Sequence, residues 1–369
     1  MTHTVKQHVM PQWVLRNFRS DDTANAKKGK QRVWCHTVYL DETENIIKEQ
    51  PLPITSVGLA KSCFSLIDKT TNKLFDIEQE LSNYERTTSE TFNKFIHHHD
   101  FSSLLHQQGN ENSIETVLNF MIIQMILNLH NPQHKYHNKE EFFSSFTKEM
   151  QENFGKIHST INEMPKTIAD LYGKDFAEKL VRAVNSPSEI EQTCKVLFIL
   201  FLLAEAKGLP TPINPLTFFK NHLFGNVYIE GIFHTGYPFN STEPRPVFAI
   251  GPNVFAKSAA EGPLIYLPIA HNFAFGFSVG KRKAFNSRLK IYSANPENLS
   301  VSKNNKIEIF KVSHDFIDNV VMHVLMGAIG YSNTIYTPHE LADVEKYLAL
   351  QRENEDFFYQ PEKPTLISQ

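Results

Sequence analysis

Apolar and polar positions divide the chain into a helix-patterned stretch followed by a strand-patterned one. Near the start, residues 32–39 alternate, with Val33, Cys35, Thr37 and Tyr39 on one side, and predict a strand after the polar loop of residues 20–31. From residue 76 to about 97, Ile77, Leu81, Tyr84, Thr88, Phe92 and Phe95 recur at intervals of three and four, the spacing of an amphipathic helix. A second helix is expected after Ser113, whose hydroxyl can cap it, with Ile114, Val117, Leu118, Met121, Ile122, Met125 and Leu129 as its core stripe. Phe120, Ile123, Ile126 and Leu127 make that helix apolar on its other sides, so it should be buried nearly all round, and Pro132 helps to end it. Further helices are expected at 139–153, 164–172, 174–185 and 188–207, broken at Gly173 and at Ser186-Pro187.

Past residues 208–215, rich in Pro, the texture changes to short β-prone runs at 227–233, 247–250, 264–267, 273–278, 289–292 and 307–312. Helices at about 313–331 and 338–353 close the chain. Strands segregated from helices predict an α+β fold: a helical N-terminal and middle region packed with a mainly antiparallel C-terminal sheet and closing helices. The expected division is a mainly helical region with a short N-terminal strand element over 1–212 and a strand-rich region with C-terminal helices over 213–369; one continuous domain is the alternative. There is no internal repeat.

Composition narrows the class without naming an activity. With 369 residues, 41% hydrophobic and 21% charged, the chain can bury a core, which excludes an intrinsically disordered protein. A formal net charge of -3 carries no global sign of a nucleic-acid or membrane-surface binder. The greasiest run, residues 196–204, is too short for a membrane span, which needs about 20 apolar residues. Cys35, Cys63 and Cys194 form no C-x-x-C pair and the first eight residues hold no apolar signal core, so a cytoplasmic location with no membrane partner is expected.

Candidate chemistry lies where polar groups sit among apolar anchors. His8 and Gln12 stand beside Pro11, Trp13, Leu15 and Phe18, and could be a proton carrier and a hydrogen-bond reader, or simply flank a helix start. Glu78 and Glu85, seven apart, fall at the border of the apolar face of their helix, where partial burial would raise a carboxyl pKa and make a general base or metal ligand. About 10 Å of helix rise keeps them from sharing one ion directly. Gln124 and Asn128, one turn apart on the apolar helix, would brace a neighbouring backbone or line a polar site. The histidines at 97–99, at 130, 134 and 137, and at 314 and 323 match no H-E-x-x-H, so no metal ligand is assigned and the cofactor is unknown, with a divalent ion left open. Phosphate-cradle glycine motifs are missing, which disfavours nucleotide-driven motors. Two local basic runs depart from the global mean: Lys281, Arg282, Lys283 and their neighbours over 270–311, and Lys27, Lys28, Lys30 and Arg32. Each could contact phosphates or remain a solvated loop.

The order of these pieces resembles the bacterial family catalogued as domain of unknown function 4238. The resemblance rests on Gln7-His8-x-x-Pro11-Gln12-x-x-Leu15-x-Asn17-Phe18, the Val33-Trp34 strand, the Val57-Gly58 to Phe64 segment, the Glu78-x-x-Leu81-x-x-x-Glu85 helix and the apolar helix bearing Gln124. Members usually carry a strand ending in Ser-Asp-Asn-Pro and a late helix with an Asn, which the resemblance aligns with Asn253 and Asn319. Here Gly251-Pro252-Asn253 keeps the Asn but not the acidic group, and the Arg that usually follows the Gln of the apolar helix is absent. The resemblance implies no established reaction.

Two readings follow. In the first, the chain is a nuclease-like effector or toxin of a bacterial conflict or defence system with nucleic acid as its partner. There Glu85 is base or metal ligand, His8 is acid, and Gln12, Gln124, Asn128, Asn253, Asn319 and the Lys281–Lys283 run orient substrate. In the second, the same residues form a buried network in a non-catalytic binding or scaffold protein. A protein partner is not legible in the sequence.

Overall fold

The computed structural model describes residues 6–8, 10–40, 45–61, 64–68, 73–98, 119–120, 123–124, 148, 151–156, 158–159, 169, 173–185, 190–207, 209, 211, 227–237, 245–251, 256–258, 264–279, 299–300, 308–312, 314–328 and 334–341. In chain order its elements are β1 (Lys6–His8), α1 (Gln12–Arg16), β2 (Arg32–Leu40), β3 (Asn45–Pro53), β4 (Leu59–Lys61), β5 (Ser65–Asp68), β6 (Lys73–Asp76), α2 (Glu78–His98), α3 (Lys174–Asn185) and α4 (Ile190–Glu205). There follow β7 (Val227–His234), β8 (Ala256–Ser258), β9 (Leu264–Ala270), β10 (Phe273–Val279), β11 (Leu299–Ser300), β12 (Glu308–Lys311), α5 (His314–Ala328) and β13 (Thr334–Thr337). Helices and mainly antiparallel sheets together make a mixed α+β chain, which divides into two compact units, each assembled from separate segments.

The first unit holds Met1–Pro11, Gly58–Pro132 and Glu140–Asn226. Its β1 pairs antiparallel with β4, and β5 with β6. An Asp76 carboxylate oxygen accepts the Glu78 amide at 3.2 Å, capping α2, and Glu78 and Glu80 place negative charge at the positive end of the helix dipole. Of the face that the spacing predicts, Ile77, Leu81, Thr88 and Phe92 are buried and Tyr84 is half-buried, and Ile96, which the spacing did not include, is buried with them. Phe92 meets Phe120 edge-on at 5.5 Å between ring centres, which packs α2 against the helical residues around Phe120. Gly173 adopts φ +89, the left-handed region that favours glycine, and α3 begins directly after it. Phe75 of β6 packs on Phe176 of α3 at 5.2 Å. Residues 193–204 of α4 are buried without interruption, the pattern of a helix enclosed on every side.

The second unit holds Gln12–Val57, Gln133–Lys139 and Val227–Gln369. Its six-stranded sheet runs β11-β12-β7-β10-β9-β8, antiparallel except for the parallel β12–β7 pair. A three-stranded sheet runs β13-β2-β3. Pro51 and Pro53 lie on β3, an edge strand, where a missing N–H leaves no ladder bond unmade. The Asn17 side-chain amide donates to the Ile269 carbonyl at 3.0 Å and the His271 amide to the Asn17 carbonyl at 3.2 Å, fastening the end of α1 to the β9–β10 hairpin. Phe233, Tyr266 and Phe316 form an aromatic cluster, with ring centres 4.9–5.9 Å apart, between sheet and α5.

Several expectations are corrected. Six strands, not one short strand element, occupy the first 76 residues, because β3 hides behind its prolines and β4 to β6 are too short for an alternating pattern to show. Residues 247–250 are not a strand: after Pro246, only an Ile250–Tyr336 bridge forms, and the Phe248 amide turns to the His271 carbonyl. Residues 338 and 339 bend, and 340–341 are not helical. The expected run at 289–292 lies outside the described residues, as do most of the expected helices at 114–131, 139–153, 164–172 and 338–353.

Candidate active site on helix α2

In the first unit, α2 presents Glu85 and Thr88 one turn apart. Glu85 is half-buried and Glu78, two turns earlier, is exposed. Desolvation of the Glu85 carboxyl, with the charge of Glu78 added, pushes its pKa from 4.5 up to about 8. At neutral pH this carboxyl therefore keeps its proton. Thr88 is fully buried and its Oγ1 has no hydrogen-bond partner among the described residues. Asn119, beside the ring that Phe92 touches, is 1% exposed and its amide is likewise without partner. Gln124, one turn beyond Phe120, is fully buried. Polar groups enclosed in an apolar helical layer are costly unless they are hydrogen-bonded. Lys195 of α4 is 1% exposed, a buried cation that the sequence pattern did not single out.

His8 lies on β1 opposite Leu59, half-buried, in the same unit. Gln12 belongs to the second unit, where its Oε1 accepts Arg16 Nη2 at 2.7 Å. Asn319 stands on α5, its side chain outside those described, and Asn128, Asn253, Lys281, Arg282 and Lys283 lie outside the described residues. The α2 electrostatics thus link Glu78 to Glu85. Among the described residues, no group of three His, Cys, Asp or Glu side chains stands together as a cation-ligand set.

A family model for a protein of unknown function, DUF4238, matches residues 6–317. The chain belongs to the DUF4238 family. No curated protein and no solved structure matches it. The DUF4238 match spans β1, α1, α2 and the helical residues around Gln124, so every candidate of the first unit lies inside the family region.

Two polar constellations of the second unit of this DUF4238 protein went unseen in the sequence. His36, fully buried on β2, sets Nδ1 2.5 Å from Glu49 Oε1 and Nε2 2.6 Å from Thr337 Oγ1, while Thr337 donates to the His339 carbonyl at 2.5 Å. Burial pulls the His36 imidazolium below its ordinary range, and the hydrogen bond and charge of Glu49 push back. Arg245, buried, meets Asp21 at 3.2 Å. Both link residues more than 200 positions apart, so no local motif could reveal them. His323, one of the histidines to which no metal role was assigned, is buried on α5, and desolvation lowers its pKa to about 4. No helix among the described residues is long and apolar enough to cross a membrane.

Proposed function

We propose that this DUF4238 protein is a cytoplasmic, nucleic-acid-directed effector of nuclease type, acting in bacterial conflict or defence, with Glu85 as its proton-transfer group. The carrying observation is the α2 carboxyl held protonated at neutral pH beside buried Thr88. A carboxyl with a pKa near the working pH is suited to general acid–base work. Because it retains its proton, Glu85 takes the acid role instead of the base or metal-ligand role that its helix position suggests. His8 is then available as the base. The finer architecture, a helical N-terminal and middle region packed with the C-terminal sheet, belongs to the same proposal.

Labelled RNA and DNA incubated with the full chain and divalent ions test this reading. Cleavage is expected to fall as pH rises through about 8 and to be lost in Glu85→Gln. No cleavage, or cleavage untouched by Glu85→Gln, defeats it.

The second reading, a non-catalytic binding or scaffold protein with a buried polar network, is favoured by the complete burial of Gln124. A structural network loses stability when Glu85 or Gln124 is truncated, whereas catalytic groups cost little or gain. Thermal unfolding of Gln124→Ala, which a network destabilises by about 1–3 kcal/mol, separates the two readings.

A further inference from the structure

Three strands of the second unit meet at His36, and the contacts there ask for more protons than a neutral ring supplies. On β2, the fully buried ring sets Nδ1 2.5 Å from Glu49 Oε1 of β3 and Nε2 2.6 Å from Thr337 Oγ1 of β13. Thr337 in turn donates to the His339 carbonyl at 2.5 Å. Three contacts in one line need three protons. A neutral imidazole carries one N–H and threonine one O–H, which makes two. With its hydroxyl proton given to the carbonyl, Thr337 Oγ1 can only accept from Nε2, and an ionised Glu49 can only accept from Nδ1. The line is therefore complete only when the His36–Glu49 pair holds one proton more than imidazole plus carboxylate.

The surroundings make that proton removable. Burial of the ring opposes its charge, as does a charge on His339, whose own ring nitrogens face the Glu340 and Arg245 carbonyls. The hydrogen bond and charge of Glu49 and the His339 carbonyl favour the charged ring. Burial is the largest of these effects, so the ring gives up the proton at a pH below the ordinary histidine value. Glu49 is the way in from water: its side chain, on edge strand β3, keeps 24% of its surface, whereas His36 keeps none. At the far end, the Pro338 carbonyl accepts the Asp21 amide at 3.3 Å, so the chain just past Thr337 is tied to the start of the second unit.

We propose that the Glu49–His36–Thr337 line is a proton-operated latch on the chain that follows β13. Uptake of one proton by the His36–Glu49 pair completes it. Loss of that proton leaves Nε2 an acceptor, and the Thr337 hydroxyl must choose between the ring and the His339 carbonyl, so the residues after Thr337 are held by one contact fewer. Acid closes the latch even though burial keeps the titration low, because the buried ring binds its proton more tightly with the line complete than with it broken. The latch is independent of the α2 carboxyl and of the nucleic-acid reading.

The test follows the full chain by nuclear magnetic resonance, isotope-labelled at the histidine rings and at the backbone amides, between about pH 4 and 8, a range that brackets the ordinary histidine value. As pH rises, the His36 ring should pass from two protonated nitrogens to one. With exchange corrected for its intrinsic pH dependence, the Asp21 amide should be protected about fivefold better on the acid side, the factor for one net hydrogen bond. The Tyr336 amide, bonded to the Ile250 carbonyl at 2.8 Å, should not follow. Thr337→Val should leave the ring titrating and abolish the Asp21 response. Glu49→Gln removes the charge that favours imidazolium, and should move both the ring titration and the Asp21 response to lower pH. A His36 ring in one protonation state across the range, an Asp21 amide indifferent to pH, or a response that survives Thr337→Val overturns the latch.

Discussion

Replacing Glu85 with Gln gives the most direct view of the α2 site, because it swaps a protonated carboxyl for a neutral group of nearly the same shape. In the fold the carboxyl titrates at about 8; in the unfolded chain it titrates near its ordinary 4.5. A group whose folded pKa is raised contributes stability that is complete below the unfolded value and is lost as pH climbs through the folded one. Stability should therefore decline between about pH 4.5 and 8. At 1.36 kcal/mol per tenfold change in proton affinity, the whole span is worth at most about 5 kcal/mol, and at pH 7 about 3 kcal/mol has gone. Water reaching the half-buried side chain reduces this, so about 2 kcal/mol by pH 8 is the working expectation. Glu85→Gln carries no proton to lose. It should match wild type near pH 4.5 and exceed it by that amount near pH 8. Urea unfolding followed by far-ultraviolet circular dichroism reads the helices of the first unit, whereas fluorescence does not, since both tryptophans, Trp13 and Trp34, lie in the second unit. If the two proteins show parallel stability curves across this range, Glu85 is ionised in the fold and the acid role assigned to it is lost.

Other outcomes follow from single contacts. Thr88→Val removes an enclosed hydroxyl with no partner and keeps the shape, so thermal unfolding should shift upward by about 1 kcal/mol; a drop would mean that the hydroxyl holds something within the fold. Thr337→Val takes away the hydroxyl that links His36 to the His339 carbonyl and should cost about 1–3 kcal/mol, seen in Trp34 fluorescence during urea unfolding. Burial pushes the Cys35 thiol to about 12, so a thiol reagent should modify Cys35 only at the rate of unfolding; rapid labelling of native protein at this position would contradict its enclosure on β2.

What could be read from the sequence depended on whether the controlling interaction was local. The bounds of α3 are those predicted, residues 174–185, because Gly173 with its positive φ and Ser186-Pro187 bracket the helix from either side. The buried face of α2, Thr88 included, followed from spacing alone, and so did the border position of Glu85. Spacing could not rank the two carboxylates. Glu78, in the first turn, faces solvent, and only the neighbours packed around Glu85 decide which one keeps its proton. The β3 strand escaped because proline reads as a breaker unless the strand is known to be an edge, and edges are a property of the assembled sheet.

The same limit explains why Gln12 was singled out and Arg16 was not. A glutamine among apolar anchors is unusual in a sequence, whereas an arginine one turn later is ordinary, since most arginines end in solvent or beside a carboxylate. Its surroundings come from across the fold: Asp21, whose charge acts on Arg19, is held by Arg245, 224 positions away, and Arg16 is left with a neutral amide. Charge pairing over such a separation is invisible to any window along the chain. The strength of a candidate site thus depends less on which polar residues a motif contains than on which charges the folded neighbourhood leaves uncompensated.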